Sequence, residues 1–189
     1  MKKDNISKEE KALEIKRHSL AHILAFALKR IYRNVSYGIG PSNEVGFYYD
    51  VLTKKPVNEE GLGLIENEIK KIISQELPFT KKELKISDAI KLFKELKQDF
   101  KVELLNDLKD YGTTDQNEIL LIKDKKQKKG EKVATVTIYI LGKVKKDDGL
   151  KDLIKNEDIF IDLCKGPHIK NTKEINLESF KISRVAGAY

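Results

Sequence analysis

Cysteine and histidine are scarce in this chain, whose 189 residues include one Cys and three His. A single cysteine excludes a disulfide within the chain and suits a reducing compartment, so we expect a cytoplasmic protein. Long apolar runs are also lacking. No stretch approaches the ~20 apolar residues of a membrane-spanning helix, and no apolar segment follows the lysines near the start, so we expect neither a membrane span nor a signal peptide. Repeats and Gly/Ser-rich linkers are absent too, which fits one domain or two small lobes.

Acidic residues are outnumbered, with 30 Asp+Glu against 37 Lys+Arg and a formal net charge of +7. This balance favours an anionic partner, of which nucleic acid is the leading candidate. The alternative is a general lysine bias, because lysine greatly outnumbers arginine. The lysine runs at 123–129 and 143–146 are typical of solvated loops, and phosphate contact is the less favoured interpretation. A hydrophobic content of 40% is enough for a packed core.

All the histidines and the cysteine fall into two short motifs, HSLAH with His18 and His22, and CKGPH with Cys164 and His168. In each motif the two side chains are four residues apart. Such groups can bind a metal, move protons or line a polar pocket. Either motif alone is weak evidence, since a lone Cys is usually a small buried apolar residue. Together they predict one open polar site rather than a structural zinc site, which would use cysteine-richer knuckles.

Two further features accompany these motifs. Asp162 precedes Cys164 by two residues, so both side chains should point to the same side of a strand. Asp162 would orient a histidine, accept a hydrogen bond from a substrate, or simply be a solvated carboxylate at the strand end. The stretch GIGPSNEVGFYYD (38–50) sets glycines beside aromatic residues. One interpretation is a wall of the site where a ligand meets the backbone. The other is a β-hairpin that places either Phe47 and Tyr49 or Tyr48 in the core.

The pattern of apolar residues predicts an α+β fold with an antiparallel sheet. A capping box of Ser7 and Glu10 starts a long helix to about Tyr32 that carries His18 and His22 on one face. Further helices are predicted from Asn58 to about Glu76, from Ser87 to about Gln98, and briefly within 143–157. Strands are predicted at 35–41, 44–51, 79–86, 100–105, 118–124, 132–142 and 158–163, with 118–124 and 132–142 forming a hairpin.

Four segments of the chain resemble the editing domain of bacterial threonyl-tRNA synthetase. They are RHSLAHILAFALKRIY, YGIGPSNEVGFYYD, IDLCKGPHIKNT and FKISRVAGAY. The resemblance covers about 14–105 and 158–189. It implies a long N-terminal helix packed on an antiparallel sheet, with 1–189 forming one editing domain, a fragment of a longer synthetase. It also implies that 106–157 is an enlarged insertion. The two motif pairs are shared with alanyl-tRNA synthetase editing domains and free-standing Ala-tRNA deacylases.

The function implied by this resemblance is hydrolysis of mischarged Ser-tRNA(Thr) by water attack on the aminoacyl ester. Its partners would be the acceptor end of tRNA(Thr) carrying serine and the aminoacylation domain of the same synthetase. The alternatives are a zinc-dependent Ala-tRNA deacylase and an inactive tRNA-binding module.

The resemblance also implies roles for individual residues. His18 would position or activate water and Lys101 would stabilise charge or position water, and we expect neither in the core. No metal is expected for editing. The alanine-editing relatives use all four His and Cys residues of the two motifs to bind zinc, and His22, Cys164 and His168 have ligand types that allow zinc to bind here without being needed. Asp162 would bind serine, and Tyr49 and the backbone at Gly40 would hold serine and adenosine. The pocket would be completed by Cys164, His22 and His168.

Overall fold

The structure is a computed structural model that describes residues 7–128, 130–131 and 133–187. It begins with helix α1, Lys8–Ile31, which the predicted capping box opens: Ser7 and Glu10 bind each other's backbone N–H groups. Tyr32 caps the other end. The stretch from Ser19 to Leu28 is almost entirely buried, so α1 is the central helix of the domain.

The sheet beside α1 has three antiparallel strands in the order β3-β4-β5, and a separate two-stranded ribbon joins β1 to β2. The strand bounds are Ser36–Tyr37 for β1, Val51–Leu52 for β2, Phe79–Lys85 for β3, Thr135–Leu141 for β4 and Phe160–Leu163 for β5. Alternation along β5 sends Ile161 to one face and both Phe160 and Asp162 to the other. Phe160 packs in the core that contains α1, whereas Ile161 packs in the core on the opposite side.

The remaining helices cover the two faces of this arrangement. One core lies between α1, α2 and the segment after β5, and the other lies between the sheet, α3, α4 and α6. The helix bounds are Leu62–Ser74 for α2, Ile86–Glu95 for α3, Asp99–Tyr111 for α4, Gln116–Lys123 for α5 and Leu150–Lys155 for α6, with 3-10 turns at Glu59–Gly61 and Thr172–Glu174. The predicted α+β class with an antiparallel sheet is confirmed.

Two predicted strands are wrong. Residues 100–105 belong to helix α4, because Lys101 and Leu105, one helical turn apart, are the residues that point inward. Residues 118–124 lie largely in helix α5, where Ile119 and Ile122 are buried and Asp115 caps the start. The predicted hairpin is therefore wrong as well, since β4 pairs with β3 and β5.

Other predictions hold in part. The stretches 35–41 and 44–51 contribute only short pairings, Ser36–Tyr37 with Val51–Leu52 and an isolated bridge between Ser42 and Phe47. Helix α3 starts two residues earlier than expected, with Lys85 rather than Ser87 at its N-cap. Segment 106–157 holds the central strand β4, and its enlargement relative to the family stays a prediction. Among the described residues, no helix is long and apolar enough to cross a membrane.

Candidate active site

The structure brings the two motifs together where α1 meets the end of β5. One ring nitrogen from each histidine and the Cys164 sulfur all lie within 4.8 Å of one another. The pairs come from opposite ends of the chain. Helical spacing places His18 and His22 on the same face of α1, and the turn after β5 returns His168 towards Cys164.

The Cys164 sulfur is the centre of this cluster. It lies 3.4 Å from His18 Nε2 and 3.3 Å from His168 Nε2, and it accepts a hydrogen bond from the Gly166 backbone N–H at 3.2 Å. The His168 ring is held between aromatic neighbours, stacked on Phe79 with centroids 5.0 Å apart and in edge contact with Tyr139. The histidine and cysteine side chains therefore have defined orientations.

A second, more deeply buried group adjoins the cluster and centres on Asp162. Its Oδ1 lies 2.7 Å from the Lys101 ammonium nitrogen, and its Oδ2 accepts a short hydrogen bond from the Tyr49 hydroxyl. His22 Nδ1 lies 3.5 Å from the same Oδ2. Asp162 is 2% exposed and Lys101 is 3% exposed. The expectation that Lys101 lies outside the core is wrong, because helix α4 turns it inward onto this carboxylate.

Lys101 also holds the glycine-rich stretch. Its ammonium group donates to the Gly38 carbonyl and lies 3.3 Å from the Tyr49 hydroxyl. Tyr49 in turn packs against Gly40, where an added Cβ would lie 2.2 Å from the ring. Tyr49 is buried while Tyr48 is 43% exposed, so the stretch supplies one wall of the site and one core aromatic.

Burial keeps the ionisable groups of the cluster uncharged. Desolvation lowers the pKa of His18, lowers the pKa of His22 well below its usual value, and lowers the pKa of His168 to about 2. Electrostatic interactions with His18 and with the Lys101 ammonium group add to the lowering of the His22 pKa. Burial raises the pKa of the Cys164 thiol to about 11. At neutral pH the site therefore offers neutral imidazoles and a protonated thiol beside a buried carboxylate and ammonium pair.

Sequence reasoning missed two residues of this region. Ser19, between the histidines of HSLAH, is fully buried and contacts His168. Tyr37 is buried with its ring against Tyr49 and Phe160. A serine in the middle of the apolar stripe of α1 is the signal that would have singled out Ser19, whereas Tyr37 looks like any core aromatic residue.

The cluster fits two kinds of chemistry. Neutral imidazoles can accept a proton from water, and a buried carboxylate can bind an amine or hydroxyl. Three imidazole nitrogens and one sulfur are also the ligand types of a tetrahedral zinc site, and their mutual spacing suits one ion. Either way, the arrangement is that of a small polar site built for one ligand.

Comparison with known proteins agrees with this class of site. Residues 152–187, which include Asp162, Cys164 and His168, match a family model described as the threonyl and alanyl tRNA synthetase second additional domain. The chain is similar over 180 residues to threonine–tRNA ligase 1 of Bacillus subtilis, at 37% identity, and to the threonine–tRNA ligase of Lawsonia intracellularis, at 36%. It is 35% identical over 183 residues to the ligase of Aquifex aeolicus.

These similarities cover nearly the whole chain but only part of each relative. They span 95% of this chain, while the chain spans 22% of the length of the ligases. The matched segment is similar to a second additional domain of the threonyl and alanyl tRNA synthetase type. The full-length relatives are all threonine–tRNA ligases, and the expected resemblance to the editing domain of threonyl-tRNA synthetase is confirmed.

Proposed function

We propose that this domain hydrolyses Ser-tRNA(Thr), releasing serine that a threonyl-tRNA synthetase has attached by mistake. The observation that carries the proposal is that two groups of side chains lie next to each other. One is the buried Asp162–Lys101 pair, and the other is the cluster of His18, His22, Cys164 and His168. His22 belongs to the cluster and also contacts Asp162. Similarity to threonine–tRNA ligases along 95% of the chain supports the same role.

The need for a second site follows from the small difference between the two amino acids. Threonine exceeds serine by one methyl group, and one methyl group discriminates by only ~1–3 kcal/mol in an attractive pocket. A separate hydrolytic site that admits serine and excludes threonine removes the product that binding alone cannot reject. Exclusion by overlap is the stronger filter, because repulsion rises steeply once the pocket is full.

The reaction needs a proton acceptor for the attacking water and a polar environment for the charge that develops on the ester oxygen. We assign the first role to His18, which is only half-buried and whose lowered pKa keeps it neutral. Asp162 binds the amine or hydroxyl of serine. Tyr49 and the backbone near Gly40 form the wall against which the threonine methyl group collides.

Lys101 acts mainly by holding other groups in place. Its ammonium group donates hydrogen bonds to the Gly38 carbonyl and the Tyr49 hydroxyl and forms an ion pair with Asp162 Oδ1. It therefore fixes the carboxylate and the glycine-rich wall together, and its charge contributes to the field at the ester. This refines the expectation of direct charge stabilisation.

A zinc-dependent deacylase is the second candidate, because the four donor atoms lie within 4.8 Å of one another. His18, His22, Cys164 and His168 would then hold the ion, which would supply a polarised water. We favour the metal-free reaction, since Asp162, Lys101 and His18 already provide a carboxylate, a cation and a neutral base.

The deciding experiment measures deacylation of Ser-tRNA(Thr), Thr-tRNA(Thr) and Ala-tRNA(Ala) with chelator and with added zinc. We expect hydrolysis of Ser-tRNA(Thr) alone, unchanged by chelator. Loss in chelator with recovery in zinc supports the zinc-dependent enzyme, and preference for Ala-tRNA(Ala) supports the alanine-editing relatives. A chain that binds tRNA but hydrolyses none of the three is an inactive binding module.

Variants then test the assignment of residues. His18→Ala should lower the rate by about 10²–10⁴-fold, as loss of a proton-transfer group does. Lys109→Ala, an exposed lysine on the same helix as Lys101, is the matched control and should leave the rate unchanged. A fully active His18→Ala protein would remove His18 from the mechanism.

A further inference from the structure

Ser19 has the most completely bonded hydroxyl group in the neighbourhood of the cluster. It is fully buried on α1, between His18 and His22. Its Oγ lies 2.8 Å from the Ile15 carbonyl oxygen, 3.0 Å from the Ile169 backbone nitrogen and 3.2 Å from His168 Nδ1. It thus joins helix α1 to the segment after β5 and touches one histidine ring directly.

The directions of these hydrogen bonds are constrained by chemistry. A hydroxyl group has one proton to donate and two lone pairs to accept with. The Ile169 N–H can only donate and takes one lone pair, while the Ile15 carbonyl can only accept. The serine proton goes to Ile15, because that contact is the shorter one and is the usual bond of a helical serine to the carbonyl four residues earlier.

The remaining lone pair of Ser19 then faces His168 Nδ1, which must carry a proton. We propose that Ser19 is a positioning residue that fixes His168 as the Nδ1–H tautomer, with Nε2 unprotonated. The role of this tautomer in catalysis rests on the proposed deacylase function, whereas the tautomer itself does not.

The tautomer of His168 determines the direction of the hydrogen bonds made by its neighbours in the cluster. Unprotonated Nε2 of His168 lies 3.3 Å from the Cys164 sulfur and accepts a hydrogen bond from the thiol. The sulfur then has only lone pairs for its other neighbours, so His18 Nε2, at 3.4 Å, donates to it. The Pro167 backbone carbonyl also interacts with the His18 ring as a hydrogen-bond acceptor. Ser19 therefore sets the direction of the hydrogen bonds among His168, Cys164 and His18.

The test is an NMR measurement of imidazole nitrogen shifts at neutral pH in chelator. Long-range ¹H–¹⁵N spectra distinguish protonated from unprotonated ring nitrogens, and the chain has only three histidines to assign. We expect Nδ1 of His168 to be protonated in the unaltered protein. In Ser19→Ala it should shift towards the Nε2–H form, and Ser19→Thr, which keeps the hydroxyl group, should preserve Nδ1–H.

Ser74→Ala is the matched control, because Ser74 is exposed and its hydroxyl group donates to the carbonyl four residues earlier on α2, at 2.9 Å. It should leave the His168 shifts unchanged. A His168 protonated at Nε2 in the unaltered protein overturns the proposal, as does an unchanged tautomer in folded Ser19→Ala. If Ser19→Ala does not fold, the His168 tautomers of the unaltered protein and of Ser19→Thr still test the proposal.

Kinetics separate the tautomer from the function. Ser19→Ala should lower kcat for Ser-tRNA(Thr) by about 10–100-fold with little change in KM, as removal of a histidine's orienting partner does. If the unaltered protein hydrolyses no Ser-tRNA(Thr), the proposed function fails. The NMR measurement still tests the tautomer of His168, because that test does not depend on activity. A Ser19→Ala protein in which His168 shifts to the Nε2–H form but activity stays full would overturn the catalytic part.

Discussion

Lys101 and Asp162 form an ion pair that is almost wholly removed from water. Charged side chains are rarely fully buried, and such a pair is stable only when each charge has close partners. Here Asp162 contacts Lys101, Tyr49 and His22, and Lys101 contacts Asp162, Gly38 and Tyr49. Removing one charge leaves the other unpaired in the interior.

Lys101→Ala should therefore destabilise the fold as well as abolish hydrolysis. The expected loss is about 3–5 kcal/mol of unfolding free energy, typical of breaking a buried pair. The double variant Lys101→Met with Asp162→Asn should recover much of this stability while remaining inactive. Chemical denaturation of the three proteins checks the prediction, with Lys109→Ala as the exposed control. A Lys101→Ala protein as stable as the unaltered chain would contradict it.

Tyr37 and Tyr49 offer a matched pair of buried hydroxyl groups. The Tyr49 hydroxyl donates to Asp162, whereas the Tyr37 hydroxyl has no hydrogen-bond partner among the described residues. Burial raises the pKa of both phenols, with the Asp162 charge as a further cause. The two rings are in edge contact, so a phenylalanine at either position keeps the packing.

Tyr49→Phe should cost about 1.5–3 kcal/mol, the range for a hydrogen bond to a charged group, and should reduce hydrolysis. Tyr37→Phe should be neutral or slightly stabilising, because it removes an unmatched buried polar atom. Denaturation midpoints of the two variants test the contrast. A larger loss from Tyr37→Phe than from Tyr49→Phe would show that the hydroxyl group at 37 has a partner of its own.

At the scale of elements, the sequence predicted α1, α2, β3, β4 and β5 closely, because their apolar residues follow a clear helical or alternating period. It failed at α4 for an identifiable reason. Residues 100–105 alternate Phe, Val and Leu with Lys and Glu, which imitates a strand, while a buried lysine interrupts the helical apolar stripe. The Lys101 partner Asp162 lies too far along the chain for local patterns to reveal it.

Helix α5 was missed because a continuous apolar run is ambiguous. Residues 119–122 are all apolar, yet only Ile119 and Ile122 are buried, and Leu120 and Leu121 are exposed. The informative signal was Asp115, whose side chain accepts from the N–H groups of residues 117 and 118. Attention to that cap would have separated helix from strand.

The glycine-rich stretch before β2 gives a prediction at this scale. Gly40→Ala would set a Cβ 2.2 Å from the Tyr49 ring, so the ring must shift, which disturbs its hydrogen bond to Asp162. Hydrolysis and stability should both fall. Gly46→Ala is the control, because a Cβ there meets nothing within 4 Å. Deacylation rates and denaturation of the two variants check this, and equal behaviour would mean that Tyr49 tolerates displacement.

At the scale of the whole molecule, the site is assembled from segments that are distant in sequence. HSLAH and CKGPH were recognisable because they contain every histidine and the cysteine, so their convergence could be predicted. Burial of the site could not be predicted, since it depends on α4 and the glycine-rich stretch closing over Asp162. That burial links the protonation of the cluster to the stability of the fold.

Stability in chelator should therefore fall as the pH drops below about 6.5, the ordinary pKa of histidine. Above that pH the histidines are neutral in both folded and unfolded chains. Below it the unfolded chain takes up protons, while the folded chain resists, because burial lowers the pKa of His18 and His22 and lowers that of His168 to about 2. Uptake by the unfolded state alone reduces the unfolding free energy.

The groups that face these rings do not reverse the sign. The Pro167 carbonyl and the Asp162 and Glu14 charges raise the pKa of His18, and the Asp162 charge raises that of His168, but desolvation is the larger cause at both. Interactions with His18 and Lys101 oppose protonation of His22. Chemical denaturation between about pH 8 and pH 5, above the range where carboxylates dominate, should show a plateau and then a decline. His168→Asn should decline less steeply, because one proton-resisting group is gone. A stability that stays level or rises towards pH 5 would mean that the folded cluster accepts protons as readily as the unfolded chain does.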